Sequence, residues 1–273
     1  MTRRTAQALP LILPAIVLVS LFLAAIAPRA LARYDYRQLV ASATRFEAPS
    51  QAHWLGVDGL RRDVLSRMVW AARATLGIAV LSVLAGLAGG SLLGLPAGFL
   101  KGRSAFALQR LIDLLLTFPP LLFGLMVVAA LGSSYPNLVL AIGIGLAARF
   151  ARVIRNLVVT VASLEYIEGA RALGASDVRV VLAHIVPNIA GTVGIVATLY
   201  LGNAIRVEAA LSFLGLGIRP PMPSWGSMVR EGMDYLWQAA WLVVFPGLAI
   251  MLAVMCFNLL GDTLRDYLDP RLK

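Results

Sequence analysis

Only two lysines occur in this chain, Lys101 and Lys273, and neither follows a glycine-rich run, so the Gly-Lys-Ser/Thr phosphate cradle of a P-loop is missing. No nucleophile–base pair and no carboxylate dyad stands out. The two histidines, His53 and His184, are too far apart for a spacing-based metal motif, and Cys256 has no second cysteine to pair with. Asp262, Asp266 and Asp269 read as a solvated helix face near the C-terminus. The polar residues that remain are concentrated in Glu165–Asn188, EYIEGARALGASDVRVVLAHIVPN. Their chemistry is that of a docking element: a carboxylate at Glu168, a guanidinium at Arg171, and small residues at Gly169 and Ala170 that let another surface approach.

Two short helices must carry this insert. Tyr166, Ala170 and Leu173 recur at i, i+4 and i+7, and Gly174 follows as a left-handed stop. Ser176 is placed to cap a second helix and Asp177 suits its first turn. Val178, Val181, Leu182 and Ile185 form its apolar face, and Pro187 is expected to end it. Periodicity alone leaves two uses open: an amphipathic hairpin lying on lipid head groups, or a handle for a partner. Glu168 and Arg171 are spaced to pair at i, i+3 or to reach across to that partner.

The surrounding chain is a membrane protein. Its 59% hydrophobic content and mean hydropathy of +0.81 lie far above the about 45–50% apolar content of soluble domains. Six apolar runs are expected to span, at about Ala8–Ala27, Ala74–Leu100, Leu111–Leu131, Leu138–Phe150, Ile189–Ile205 and Leu236–Leu260. The first reads as an uncleaved helix, because it is longer than a signal-peptide core and Pro28 follows the candidate cleavage site. An even number of crossings puts both termini, Lys101–Arg110 and the insert Arg149–Asn188 on one side. That side carries thirteen Lys and Arg against eleven on the other, a balance that orients the chain only when the long Pro28–Arg73 loop is set aside. The net charge of +10 then serves topology and anionic lipid rather than nucleic acid.

Inside the spans, Gly86, Gly90, Gly94 and Gly98 place four bare positions on one helical face, a seam either within this chain or against another transmembrane subunit. Pro96, Pro119, Pro120 and Pro246 favour kinks. Asp113 is expected at a helix N-terminus. Arg206 is expected to mark the membrane boundary, with Ala209–Gly217 irregular or re-entrant beyond it.

The order Glu168, Ala170, Gly174, His184, Pro187, Asn188 resembles the cytoplasmic EAA loop of permease subunits in ATP-binding-cassette importers. Further segments are similar to the dipeptide, oligopeptide and nickel subgroup: His53–Asp58 followed by Arg62–Arg67, then Glu208–Gly217 with Pro220–Gly226, and then Phe245–Gly247, Phe257–Asp262 and Leu264–Arg271. Three positions depart from the pattern. Gly169 stands where alanine is usual, Val186 where leucine is usual, and Arg61 where the group has glycine.

This resemblance implies an all-α polytopic fold with six transmembrane helices, the type I importer permease architecture. Residues 1–73 would form the N-terminal tail, first helix and long extracytoplasmic segment, and 74–273 a five-helix core holding the coupling loop 156–188. It implies a non-catalytic subunit that pairs with a second, related permease, two cytoplasmic ATPase subunits and an extracytoplasmic binding protein. The cargo it implies is peptides, nickel or similar small solutes, moved across a bacterial-type inner membrane with both termini cytoplasmic. This chain would bind no cofactor, ATP and Mg being held by the ATPase partners. Carried onto these residues, the coupling contact is Glu168, Gly169, Ala170, Arg171, Gly174, His184, Pro187 and Asn188. A self-contained transporter or channel is the other reading, and it would need a coupling site of its own in the spans.

Overall fold

A computed structural model describes the backbone of residues 3–268 and the side chains of 12–266. The described chain is helical: α1 Arg3–Ile26, α2 Pro28–Leu31, α3 Val64–Phe99, α4 Gly102–Leu116, α5 Pro120–Leu131, α6 Tyr135–Ala162, α7 Glu165–Ala172, α8 Asp177–Arg179, α9 Val186–Phe213, α10 Trp225–Met233 and α11 Trp241–Leu268. A π-helical turn, Val180–Ile185, joins α8 to α9. The only extended pairing among the described residues is an isolated bridge between Val57 and Asp63.

Four stretches are long and apolar enough to cross a bilayer: α3, α6, Asp177–Phe213 and Trp241–Asp266. The pair α4–α5 passes the same test only when taken together, and it is bent by 87° at Thr117–Pro119, the form of a broken span or a re-entrant loop. Counting that pair once and adding α1, whose apolar part Ile12–Ile26 is shorter, the count agrees with the six runs of the sequence. Of the four prolines expected to kink the spans, Pro119 and Pro120 carry the sharp break, because two consecutive residues without N–H leave the ladder unsupported there. Pro96 and Pro246 stay inside continuous helices.

The glycine stripe is an internal seam. A Cβ on Gly86 would sit 2.7 Å from the Cβ of Leu146, one on Gly94 2.7 Å from the carbonyl of Ala151, and one on Gly98 2.7 Å from the carbonyl of Arg155. α3 and α6 therefore touch backbone to backbone over four turns. Without a hydrophobic drive between helices in lipid, this close van der Waals contact is what joins them.

At the end of the bundle remote from α7, the loop after α2 folds over the start of α3. Asp63 caps α3 by accepting the Ser66 N–H at 2.8 Å, and its other carboxylate oxygen lies 2.9 Å from His53 Nδ1. Arg67, almost wholly buried, donates to both Asp58 Oδ2 and Glu231 Oε2 at 2.9 Å, which ties this loop to α10. α10 opens with a capping box at Ser224, and its Trp225 is buried with its ring N–H on the Met68 carbonyl at 3.1 Å.

Four expectations are corrected. α6 runs on to Ala162, so the segment expected as an inner loop from Arg149 begins only at Ser163. α9 likewise runs on to Phe213, and Ala209–Phe213 is helical rather than irregular. The sequence hides this because Glu208 breaks the apolar run, whereas in the fold it is fully buried with a hydroxyl partner. Asp113 lies in the last turn of α4 instead of its first, where it pairs with Arg152 at 3.1 Å. Finally, Pro187 does not end its helix. The Val186 N–H reaches back to Val181, five residues, and this wider turn accommodates the proline that an α-turn would reject.

Candidate functional site

The helix α7 is anchored by one residue, Ile167, which is fully buried. Tyr166 and Leu173, which with Ala170 make the helical repeat of the sequence, are exposed, Leu173 by 91%. The helix ends in a paired cap: the Gly174 N–H returns to the Arg171 carbonyl at 2.9 Å and the Ala175 N–H to the Ala170 carbonyl at 3.0 Å. This geometry needs a left-handed residue, and Gly174 has φ +85°. Ser176 then starts α8, its hydroxyl accepting the Arg179 N–H, as its position in the sequence predicts.

Beyond this elbow the second arm is seated by Val180 and Ile185, both fully buried, while Val178 and Leu182 project outward. The expected apolar face is thus split, since the π turn rotates the positions that follow it. Outside the elbow, Leu173, Val178 and Leu182 form an exposed apolar surface, with Glu168 and Gly169 exposed on α7. A Cβ added at Gly169 or Gly174 would meet nothing within 4 Å. A second surface can therefore come within backbone distance of both glycines.

The remaining site residues hold the elbow on the bundle. The Asn188 amide donates to the Tyr166 hydroxyl at 3.1 Å and to the His184 carbonyl at 2.6 Å, closing α7 onto the start of α9. The Tyr166 and His184 rings meet edge-on, with centroids 6.4 Å apart. Arg171 lays its guanidinium over the Phe99 ring at 5.0 Å, at the end of α3, and does not pair with Glu168. Ala170 is half-buried beside it, and Pro187 is exposed in the first turn of α9. Phe99 is the contact that sequence reasoning missed, because nothing in its spacing links it to a residue more than seventy positions away.

The C-terminal two thirds of the chain, residues 90–273, match the model of the binding-protein-dependent transport system inner membrane component family. The chain belongs to that family. A glutathione transport system permease protein, GsiD, of Pectobacterium atrosepticum is 44% identical over 83% of this chain and 75% of its own length. A dipeptide transport system permease protein, DppC, of Alkalihalophilus pseudofirmus is 39% identical over 94% and 84%. Among solved structures, an inward-facing methionine ABC transporter, MetNI, matches with a TM-score of 0.59 at 17% identity over 76% of this chain and 97% of that one. An amino acid ABC transporter solved with histidines gives 0.56 at 15% over 75% and 94%. The fold is that of a type I importer permease, and the chain is a transmembrane permease subunit of an ATP-driven importer. Permeases of this kind work with separate ATPase and binding-protein partners and are not ATPases themselves.

Proposed function

We propose that this permease forms half of a translocation pathway for short peptides or glutathione-like solutes, and that its Glu165–Asn188 elbow is the handle by which a cytoplasmic ATPase subunit moves it. The exposed apolar triad Leu173, Val178 and Leu182 around two open glycines carries the reading. A monomeric surface gains nothing from a leucine 91% exposed at a helix end, whereas a cleft in a partner buries it and gains about 2 kcal/mol. The elbow is also rigid. Its Schellman cap, the Asn188 bridge and the Arg171–Phe99 stack leave one arrangement to be gripped, and a lever transmits motion only if it does not fold under load.

In this arrangement α7–α8 faces the cytoplasm, together with both termini, and the Asp58–Arg67–Glu231 cluster faces the binding protein. A second, homologous permease completes the pathway, and two ATPase subunits bind and hydrolyse MgATP. The names of the relatives, glutathione and dipeptide permeases, support the cargo class.

The test is ATPase recruitment by the purified permease pair. Leu173→Glu places a charge in the proposed cleft without touching the fold, since that side chain is solvent-facing. Loss of ATPase binding with an unchanged melting temperature is the expected outcome. Undiminished binding and coupled transport by this variant would overturn the assignment of the elbow.

A further inference from the structure

Arg149 is the fifteenth of the 28 residues of α6, at its midpoint. Its neighbour Phe150 packs edge-on against Tyr200, centroids 4.8 Å apart, and Tyr200 is itself at the midpoint of α9. Arg149 thus lies midway along a helix that is long and apolar enough to cross the membrane. Of the other two arginines on this stretch, Arg152 pairs with Asp113 at 3.1 Å, and Arg155 donates to the neutral Gln109 at 2.9 Å while its buried Nε has no partner. Arg149 has no carboxylate within ion-pair distance among the described residues.

The surroundings of Arg149 are an open cavity of about 280 Å³, walled by Thr117, Pro120 and Gly145. A small cleft next to it brings in Asn203 from α9. Pro120 also begins α5, so the 87° break turns the start of a half-helix toward the same space. The first N–H groups of a helix have no internal partner and carry partial positive charge. In α5 Pro120 has no N–H and the Phe123 N–H returns to the Pro119 carbonyl at 3.0 Å, which leaves Leu121 and Leu122 as the donors that join Arg149 and the Asn203 amide, and an uncompensated charge within a span is retained only where it has a use.

We infer that Arg149, with Asn203 and the start of α5, is a carboxylate-binding station in the translocation pathway, taking the anionic end of a peptide-like solute. This rests on the cargo class proposed above. A guanidinium fork matches a carboxylate bidentately, and the half-helix adds donors that orient it. An amide in place of that carboxylate offers no charge and only one acceptor.

The assembled importer in proteoliposomes is given alanyl-alanine or its C-terminal amide. The wild-type permease is expected to move the acid about tenfold faster than the amide, and Arg149→Gln to bring the two rates together by slowing the acid alone. An Arg149→Gln importer that keeps the wild-type acid-to-amide ratio overturns the inference. If the wild type moves neither probe, the peptide-cargo reading falls, and a cargo-independent measurement decides Arg149. In that experiment Arg149→Cys, made on a Cys256→Ala background, is exposed to anionic and cationic methanethiosulfonate reagents with and without ATP. Labelling from water in either state places the position on the pathway, whereas no labelling in both removes it.

Discussion

The Ser212 hydroxyl donates to Glu208 Oε1 at 2.6 Å, one turn along α9, and both side chains are sealed from solvent. Ser224, the N-cap of α10, lies 3.2 Å from Ser212, so the carboxyl end of α9 and the inserted helix α10 share one polar knot. The groups hydrogen-bonded within this knot are hydroxyls. A neutral amide of the same shape therefore fits. Glu208→Gln is expected to change stability by less than about 1 kcal/mol, while Glu208→Leu takes the acceptor from the buried Ser212 hydroxyl and costs about 1–3 kcal/mol. Thermal unfolding of the solubilised permease pair separates the two.

The glycine seam gives a second expectation. At Gly90 an added Cβ meets the Ala147 carbonyl at 2.8 Å and the Ala151 nitrogen at 3.0 Å, both backbone atoms that cannot step aside. Gly90→Ala should cost about 1–3 kcal/mol. Gly191→Ala, where nothing lies within 4 Å, should be neutral or slightly stabilising through helix propensity. Parallel melting curves in detergent test the contrast.

Arg61 has φ +60°, a left-handed conformation that an L side chain adopts at a cost. The sequence resemblance expects glycine in this place, and a glycine would take this backbone without that cost. Arg61→Gly should stabilise the outer loop by about 0.5–1 kcal/mol after the added freedom of the unfolded chain is allowed for. Hydrogen exchange at Val40, whose N–H is held by the Arg61 carbonyl, would slow accordingly.

The two glycines of the elbow should respond oppositely. Gly174→Ala forces a Cβ into φ +85° and should weaken the elbow by about 1–2 kcal/mol. Gly169→Ala, with no steric neighbour, should firm α7 by about 0.5–1 kcal/mol. In ATP-driven transport the first is expected to uncouple hydrolysis from uptake, and the second to leave coupling intact or tighten it.

Local signals in the chain were enough to find the elbow. Gly174, Ser176 and the polar character of Glu165–Asn188 act within a few residues of one another, and each appears in the fold in the role its chemistry demands. The same is true of the Pro119–Pro120 break. What stayed hidden was set by distant partners. The burial of Glu208 depends on Ser224 and α10, the seating of Arg171 on Phe99, and the place of Arg149 midway along its helix on the continuation of α6 through three arginines. A hydropathy window stops at each of these charges because it counts them as exposed to lipid or water.

The helical stretch from Asp177 to Phe213 has one further consequence. At about 1.5 Å per residue, its 37 residues are long enough to reach through the whole thickness of the bilayer, with the elbow at one end and the Glu208–Ser212 knot at the other. A helix resists compression along its axis. Along it the π turn at Val180–Ile185 is where the ladder widens, so a push delivered at Ser176 meets that turn before it reaches Ser212 and, through one hydrogen bond, Ser224.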